Sequence, residues 1–426
     1  MKIRTSGIDL CYTYFLMKSI NSPFTALQFR DFKIYWWAMI ISRIGSEMQV
    51  VAVNWHVYLL TGSAVSLGII GLSRFIPVLF AAPFGGLIAD RVDRKKIIIT
   101  TSFLMIIITG SLSYLTYHGQ VNQFIIYLVI GLISLCSALE TPARQSTVPH
   151  LVPKKYFMNA TSLTVIMWQS AVLIGPAIAG FIIAYFGVAP IYLFNACTFI
   201  AMIIAMLMIT PLGQIKADSS IHYLQSIKEG LNFVRTTPMI YSTMLLDFFA
   251  TFFASATVLL PIFALDILHV GPKGLGLLYA APALGAIVAG LITSSIGHFK
   301  NQGKILIFAV CFFGLGTILF GLSKNFYFSL FFLTLIGMGD MISTVIRNTI
   351  RQMSTPDYLR GRMVSINMIF FMGGPQLGEA EAGFLAAAVG APLSVVFGGV
   401  TTIVAVYFLI KLVPRLIRYQ GDEIIT

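Results

Sequence analysis

Long apolar runs separated by short polar links dominate this chain. Apolar residues make up 57% of its 426 residues, charged residues make up only 10%, and the mean hydropathy is +0.87. Soluble domains contain about 25% charged and about 45–50% apolar residues. An α-helix of about 20 apolar residues spans the hydrocarbon core of a bilayer. The composition therefore predicts an integral, all-α membrane protein.

The apolar runs predict about twelve transmembrane helices. The predicted spans are 33–60, 64–89, 96–117, 122–143, 156–187, 189–211, 238–268, 272–298, 303–323, 325–348, 359–389 and 391–413. The polar segment 212–237 has apolar residues every three or four positions and is predicted to be an amphipathic helix on the cytoplasmic surface. It separates a six-helix half at 32–211 from a second at 238–413, and the tails are 1–31 and 414–426.

Basic residues are concentrated in alternate links. The short links after the odd-numbered helices hold only two lysines, whereas the opposite links include Arg144, Arg347 and Arg351, and both tails are basic. By the positive-inside rule, both termini and the 212–237 segment are predicted to lie in the cytoplasm of a bacterial-type inner membrane. The net charge of +12 is then orientation charge. Because no basic face is interleaved with aromatic residues, we expect no nucleic-acid partner.

The sequence lacks the motifs of common enzymes and of ATP-driven pumps. It contains no His-Glu-x2-His, no Gly-x-Ser-x-Gly and no Gly-x4-Gly-Lys-Ser/Thr. Its four cysteines show neither metal-ligand nor redox spacing. We therefore expect no enzyme activity, no metal and no cofactor.

A dense charged turn follows the second predicted helix. Gly86 lacks a side chain, so another helix can approach closely there. Asp90 lies at a helix end, where it can accept hydrogen bonds from Arg94 or from the start of predicted helix 11. We interpret this turn as a cytoplasmic gate formed by Gly86, Asp90, Arg91, Arg94 and Lys95. The alternative is an ordinary basic loop, which explains the basic residues but not the glycine and the aspartate.

Short sequences recur in the two halves in the same order and at a nearly constant offset. Gly-Leu-Ile occurs at 86–88 and 290–292, Arg-Gln at 144–145 and 351–352, and Ala-Gly-Phe at 179–181 and 382–384. The repeats indicate an internal duplication of a six-helix unit. Such duplicated transporters bind their substrate between the halves, near the middle of the membrane.

The chain resembles the major facilitator superfamily of transporters. The turn after helix 2 has the superfamily spacing Gly-x3-Asp-Arg-x2-Arg-Lys, and segments 29–37, 142–154 and 359–365 are similar to the enterobactin-exporter-like branch, the transmembrane secretion effectors. The resemblance implies alternating-access, proton-coupled export of a small organic molecule, siderophore-like or drug-like. Uptake or facilitated transport by the same fold, or a sensor that transports nothing, are the alternatives. We expect a monomer whose partners are the lipid bilayer, substrate and protons.

Predicted helix 5 contains Gly175-Pro176-Ala-Ile-Ala-Gly180. This segment is similar to the Gly-Pro motif of the superfamily's antiporters, although Ala-Gly replaces the final Gly-Gly and the upstream glycines are missing. The resemblance implies exchange of substrate against another solute. Alternatively, the pair only kinks the helix, as glycine and proline do in other membrane helices.

Seven of the charged residues inside the predicted spans are candidates for a functional role. They are Arg43, Glu47, Arg74, Asp247, Asp340, Glu379 and Glu381. A charge at the bilayer centre costs about 2.5–3.5 kcal/mol, so these groups must be paired, neutral or facing water. None lies in helices 3, 6, 9 or 12, which the resemblance identifies as the peripheral scaffold. We interpret the seven as the substrate and proton pathway.

The spacing of these charges predicts a different kind of partner for each. Arg43 and Glu47 are four apart and hence neighbours on one helix face. Arg74 has no acidic neighbour at helical spacing, so it needs a partner from another helix or an anionic ligand. Glu379 and Glu381 point about 160° apart. One is therefore expected to face the pathway and carry the proton, with Glu379 favoured, and the other to bind a helix partner such as Arg74 or Arg43. The alternative is that both only neutralise the arginines.

Overall fold

The computed structural model describes residues 24–210, 223–296, 300–356 and 359–421, which are helical apart from short links. Twelve long helices follow one another. They are α1 Arg30–Thr61, α2 Ala64–Arg91, α3 Arg94–Tyr117, α4 Gln123–Leu151, α5 Phe157–Phe186, α6 Ala189–Met208, α7 Pro238–Phe253, α8 Gly271–Ile296, α9 Gln302–Leu322, α10 Phe326–Met353, α11 Arg360–Val389 and α12 Ala391–Leu412. Among the described residues, ten helical segments are long and apolar enough to cross a membrane. The remaining two, α1 and α11, have 32 and 30 residues and carry four of the seven predicted charges. The twelve-helix, all-α membrane fold is confirmed.

Shorter elements complete the described chain. A linker helix, Tyr223–Thr236, precedes α7, and its Val234 packs with Met363 and Ile366 of α11. Residues 1–23 of the predicted tail and 212–222 of the predicted linker lie outside the described residues, so the proposed domain boundaries stay predictions. We call the end of the bundle that holds the linker helix the linker end, and the opposite end the far end.

Local sequence sets the tight links at the far end. Gly62 adopts a left-handed conformation, φ 57°, that ends α1. Side chains of Ser63, Asn122 and Asn325 accept backbone hydrogen bonds at the starts of α2, α4 and α10. Such N-caps satisfy donors that the helix itself leaves free.

Two helices extend beyond their predicted ends. α4 reaches Leu151 rather than 143, and α10 reaches Met353 rather than 348. The prediction ended each span where hydropathy falls, but a helix continues past that point where protein surrounds it. Arg144 and Arg351 are therefore helical residues, as is Arg347, which already fell inside the predicted span 325–348, and the assignment of all three to links was wrong.

The seventh span is interrupted. Regular helix ends at Phe253, and the chain continues as a 3-10 turn at Ala256–Leu259, a short α-turn at Leu260–Ile262 and a π-turn at Phe263–Ile267. At the break, the Ser255 hydroxyl donates to the carbonyl of Pro375 in α11, at 3.1 Å. Irregular backbone at membrane depth is tolerated where protein covers it and supplies such hydrogen bonds.

Two glycine contacts bring the halves together. A Cβ on Gly180 of α5 would lie 2.9 Å from the Cα of Gly276 in α8, and a Cβ on Gly68 of α2 would lie 3.1 Å from the Cα of Gly383 in α11. Only glycine allows helix backbones to pack this closely. Gly180 and Gly383 are the central residues of the repeated Ala-Gly-Phe, so the sequence repeat corresponds to two equivalent helix crossings.

Candidate functional site

A salt bridge joins the two halves inside the bundle. Arg74 Nη1 of α2 donates to both carboxylate oxygens of Glu379 in α11, at 3.3 and 3.1 Å. Gly71, one turn before Arg74, makes room for the contact, because a Cβ there would lie 2.9 Å from the Glu379 Cβ. Arg74 thus takes its partner from another helix. Of the two glutamates of α11, Glu379 holds that arginine, and Glu381 is half-buried.

A second cluster of charges is buried between α7 and α10. Asp247 lies 3.0 Å from Arg347 Nη2 and 3.4 Å from Arg351 Nη1. These three residues are buried. Arg347 Nη2 also lies 3.5 Å from Asp340, whose side chain is 51% exposed. Asp340 is therefore the accessible member of a group with two positive and two negative charges.

Neutral side chains bind the same arginines. Arg351 donates to Asn348 at 2.8 Å and to Asn367 of α11, and Arg347 donates to Thr344 at 2.9 Å. The cluster consequently links three helices of the C-terminal half. Charge-assisted hydrogen bonds of this kind are what make a buried ion pair tolerable.

The N-terminal half has its own charged group near the middle of α1. Arg43 Nη2 lies 2.5 Å from Glu47 Oε1, as their spacing predicts. The Arg43 guanidinium carbon lies 3.5 Å from the ring centre of Trp168 in α5. Gly175, also in α5, packs against this group, because a Cβ there would lie 2.7 Å from the Glu47 Cβ. The two motif glycines therefore serve different contacts, Gly175 with α1 and Gly180 with α8.

Sequence reasoning missed a further ion pair on α4, in which Glu140 is buried and Arg144 is partly buried. Arg144 Nε donates to Glu140 at 2.7 Å, and the Tyr35 hydroxyl donates to the Arg144 carbonyl at 3.3 Å. Arg144 and Arg351 are the repeat-related arginines of the two Arg-Gln sequences. The repeat was thus the signal that could have identified both as interior residues rather than as link charges.

Further polar contacts join the halves toward the far end. The Tyr58 hydroxyl donates to Asp266, and Asn54 Nδ2 donates to the Tyr279 hydroxyl at 2.6 Å. Lys273 Nζ donates to the Tyr185 hydroxyl, also at 2.6 Å. With the two glycine crossings, these contacts close the bundle at the far end.

The charged turn after α2 is only partly described. The structure does not describe the surroundings of Gly86 or the side chains of Asp90, Arg91 and residues 360–362. The gate therefore stays a prediction. Asp93 accepts from the Lys95 amide at 2.8 Å and caps α3. Arg94 donates to the Ser146 carbonyl at 3.3 Å, and Lys95 Nζ donates to the Ile209 carbonyl at 3.0 Å. These two basic side chains thus bind carbonyls at the linker end of α4 and just beyond α6.

Two aromatic residues at the start of α1 are buried in the bundle. Aromatic residues at the ends of membrane helices commonly lie at the membrane interface. Tyr35 and Trp36 are instead buried, and Trp36 Nε1 donates to the Leu163 carbonyl at 3.1 Å. Their contacts with α4 and α5 cannot be read from the sequence of α1 alone.

Twelve long helices in two pseudo-repeated halves, with charged side chains buried on helices of both, define a membrane transporter. A family model described as transmembrane secretion effector matches residues 21–422, and the chain belongs to this family of the major facilitator superfamily. It is a multi-pass membrane protein and not an enzyme.

Similar proteins are named as a transporter, an exporter and an efflux protein. The chain is 28% identical to the staphyloferrin A transporter of Staphylococcus aureus, over 76% of this chain and 82% of that protein. It is 26% identical to the enterobactin exporter EntS of Citrobacter koseri, over 91% and 93%. It is 21% identical to macrolide efflux protein A of Streptococcus pyogenes, over 79% and 84%.

Solved structures share the fold at low sequence identity. A bacterial homolog of the human lysosomal transporter Spinster, inward-facing and unoccupied, has a TM-score of 0.73 at 14% identity, covering 91% of this chain and 97% of that chain. A POT family transporter in complex with a thioalcohol-conjugated peptide has a TM-score of 0.71 at 13% identity, covering 91% and 96%.

Proposed function

We propose that this protein exports a small organic molecule, siderophore-like or drug-like, in exchange for protons by alternating access. The Arg74–Glu379 salt bridge carries the proposal, because it joins the two halves within the membrane-spanning region. Any rocking motion that opens the far end must separate α2 from α11. The relatives include a siderophore exporter and a macrolide efflux protein, which supports small organic cargo and the outward direction.

Glu379 is the proposed proton carrier. When the far end opens, Glu379 leaves Arg74, and a carboxylate without a charged partner in an apolar environment favours its protonated form. Closure returns the positive charge of Arg74, which favours the ionised carboxylate and expels the proton at the linker end. One proton is carried each time the protein returns to its starting conformation, and cargo moves during the opposite conformational change.

The direction of transport depends on orientation. We place the linker end and both termini in the cytoplasm, with the turn formed by Gly86, Asp90, Arg91, Arg94 and Lys95 as the gate there. The basic residues of this turn, two of which bind helix-end carbonyls, support the placement. The remaining pathway charges, among them Asp340 and Glu381, are proposed to line the route that cargo and protons take.

Growth and flux measurements test the proposal. A deletion strain grown with a panel of toxic compounds and under iron limitation identifies the cargo, and inside-out vesicles then measure its accumulation under an imposed pH gradient. Glu379→Gln is expected to keep cargo binding but to lose the response to the gradient. Glu381→Gln, two residues away on the same helix, is assayed in parallel to distinguish the two candidate carriers. Asp90→Asn is expected to slow accumulation without reducing insertion into the membrane.

Each other outcome points to a different conclusion. If both glutamate variants respond to the gradient like the parent, neither residue carries the proton, and if only Glu381→Gln fails, that residue is the carrier. Accumulation in right-side-out vesicles alone means uptake. No movement of any compound in either orientation means a sensor. A normal rate in Asp90→Asn refutes the gate.

A further inference from the structure

We propose that Arg43 and Trp168 form a binding platform for a planar aromatic carboxylate within the cargo. The inference rests on the proposed function and specifies the chemistry of one of its contacts. Three observations carry it: the stacked geometry of the two side chains, their exposure at mid-membrane depth, and the position of Gly175 behind them.

The platform is exposed where lipid contact is unfavourable. Arg43 lies near the middle of α1, its side chain is 31% exposed, and Trp168 is 47% exposed. A guanidinium at this depth costs several kcal/mol against hydrocarbon. Its exposed side is therefore assigned to the proposed cargo pathway between the halves rather than to lipid.

The stacked geometry selects for anions. One face of the guanidinium covers the indole ring at 3.5 Å, so the ring face that attracts cations is already occupied. The second guanidinium face can stack on a ligand ring, and the in-plane N–H groups not used by Glu47 can donate to a carboxylate. Arg43 Nε is buried and has no hydrogen-bond partner among the described residues. A planar aromatic ring that carries a carboxylate can make both contacts: the ring stacks on the second guanidinium face, and the carboxylate accepts from the N–H groups.

Gly175 holds the platform together. Trp168 and Gly175 are seven residues apart, about two helical turns, and so lie on the same face of α5. A Cβ on Gly175 would lie 3.0 Å from the Ile44 carbonyl as well as 2.7 Å from the Glu47 Cβ. Any side chain at this position would push α5 away from α1 and separate Trp168 from Arg43. The Gly-Pro motif thus supports a binding surface in addition to the crossing at Gly180.

Calorimetric titration of the purified full-length protein in detergent tests the platform with three probes. Benzoate has both ring and charge, cyclohexanecarboxylate lacks the aromatic ring, and benzylamine has the opposite charge. Benzoate is expected to bind about tenfold more tightly than benzylamine, which lacks the charge-assisted contact, and about fivefold more tightly than cyclohexanecarboxylate, which lacks the cation–π contact. Trp168→Leu and the double variant Arg43→Gln/Glu47→Gln, which removes the ion pair without leaving a lone buried charge, are each expected to weaken benzoate binding about tenfold.

Trp37→Leu, at an exposed tryptophan elsewhere on α1, is the matched control and should bind like the parent. Circular dichroism and gel filtration verify that each variant is folded. Equal binding of benzylamine and benzoate, or unchanged benzoate binding in the double variant, would overturn the platform. Benzoate preference without gradient-driven transport of any compound would refute the export proposal and leave the platform standing. Gradient-driven transport without a preference for benzoate would refute the platform and leave the export proposal standing.

Discussion

One set of buried charges in this protein forms a neutral group of four rather than a single pair. Asp247 contacts both Arg347 and Arg351, and Asp340 restores the balance to two charges of each sign. Moving one ion into an apolar interior costs several kcal/mol even after the protein relaxes. Removing a central member of such a group should therefore cost far more than removing a peripheral one.

Asp247→Asn is expected to lower the free energy of unfolding by about 3–5 kcal/mol, because it leaves two buried arginines opposite a single distant carboxylate. Asp340→Asn should cost less than about 1 kcal/mol, because the side chain is accessible and its contact with Arg347 is longer. Denaturant titration of both variants in the same detergent measures the difference. Equal losses would contradict a buried cluster centred on Asp247.

Sequence identified charges in the middle of apolar runs but not those near helix ends. A basic residue at the end of an apolar run satisfies the positive-inside rule whether it is buried or exposed, so Arg347 and Arg351 gave no signal of their own. Their burial depends on Asp247 in a different helix. Trp168 could be suspected of contacting cargo from its polar edge, but its stacking on Arg43 required the packing of α5 on α1.

At the level of helices, the two glycine crossings are the contacts that the proposed rocking motion would open and close. A Cβ on Gly180 would lie 2.5 Å from the Pro272 carbonyl of α8, and a Cβ on Gly68 would lie 3.0 Å from the Ala380 carbonyl of α11. Backbone atoms cannot rotate away as side chains do. A larger residue at either crossing must therefore separate the helices themselves.

Gly180→Leu and Gly383→Leu are each expected to hold the far end open and to abolish most transport. Overpacking of this kind costs about 1–3 kcal/mol in the closed state, enough to shift a two-state equilibrium about tenfold or more. Maleimide labelling of a single cysteine placed at Tyr58 should become faster in both variants. Gly110→Leu on α3, where a Cβ would meet no atom within 4 Å, is the control. Unchanged labelling would show that the crossings do not set the closed state.

Hydropathy predicted which segments form helices, but it did not predict where the helices end or break. The last turns of α4 and α10 contain polar residues that pack inside the protein, so a criterion based on transfer into lipid ends these helices too early. The break after Phe253 occurs in an uncharged stretch, where the Ser255 hydroxyl donates to the carbonyl of Pro375 in α11. Neither feature is encoded in the local sequence.

For the whole molecule, the contacts between the halves define one conformation in the proposed transport cycle. Hydrogen bonds, the Arg74–Glu379 salt bridge and two glycine crossings connect the halves from mid-depth to the far end. The inward-facing Spinster homolog, with a TM-score of 0.73, shares this fold. If the linker end faces the cytoplasm, the far end is closed toward the outside, and this is the state that would load an exported solute.

Orientation is therefore the property on which the direction of transport depends. Lysine and arginine are abundant at the linker end and scarce at the far end, so the linker end should remain in the cytoplasm. Alkaline phosphatase, which is active only outside the cytoplasm, is expected to be inactive when fused after Lys96 and active when fused after Gly119, at the two ends of α3. A green fluorescent protein fused at the same positions should give the opposite pattern. Phosphatase activity at Lys96 and none at Gly119 would place the linker end outside the cytoplasm. The closed far end would then face the cytoplasm, as expected for a protein that loads its solute from the exterior.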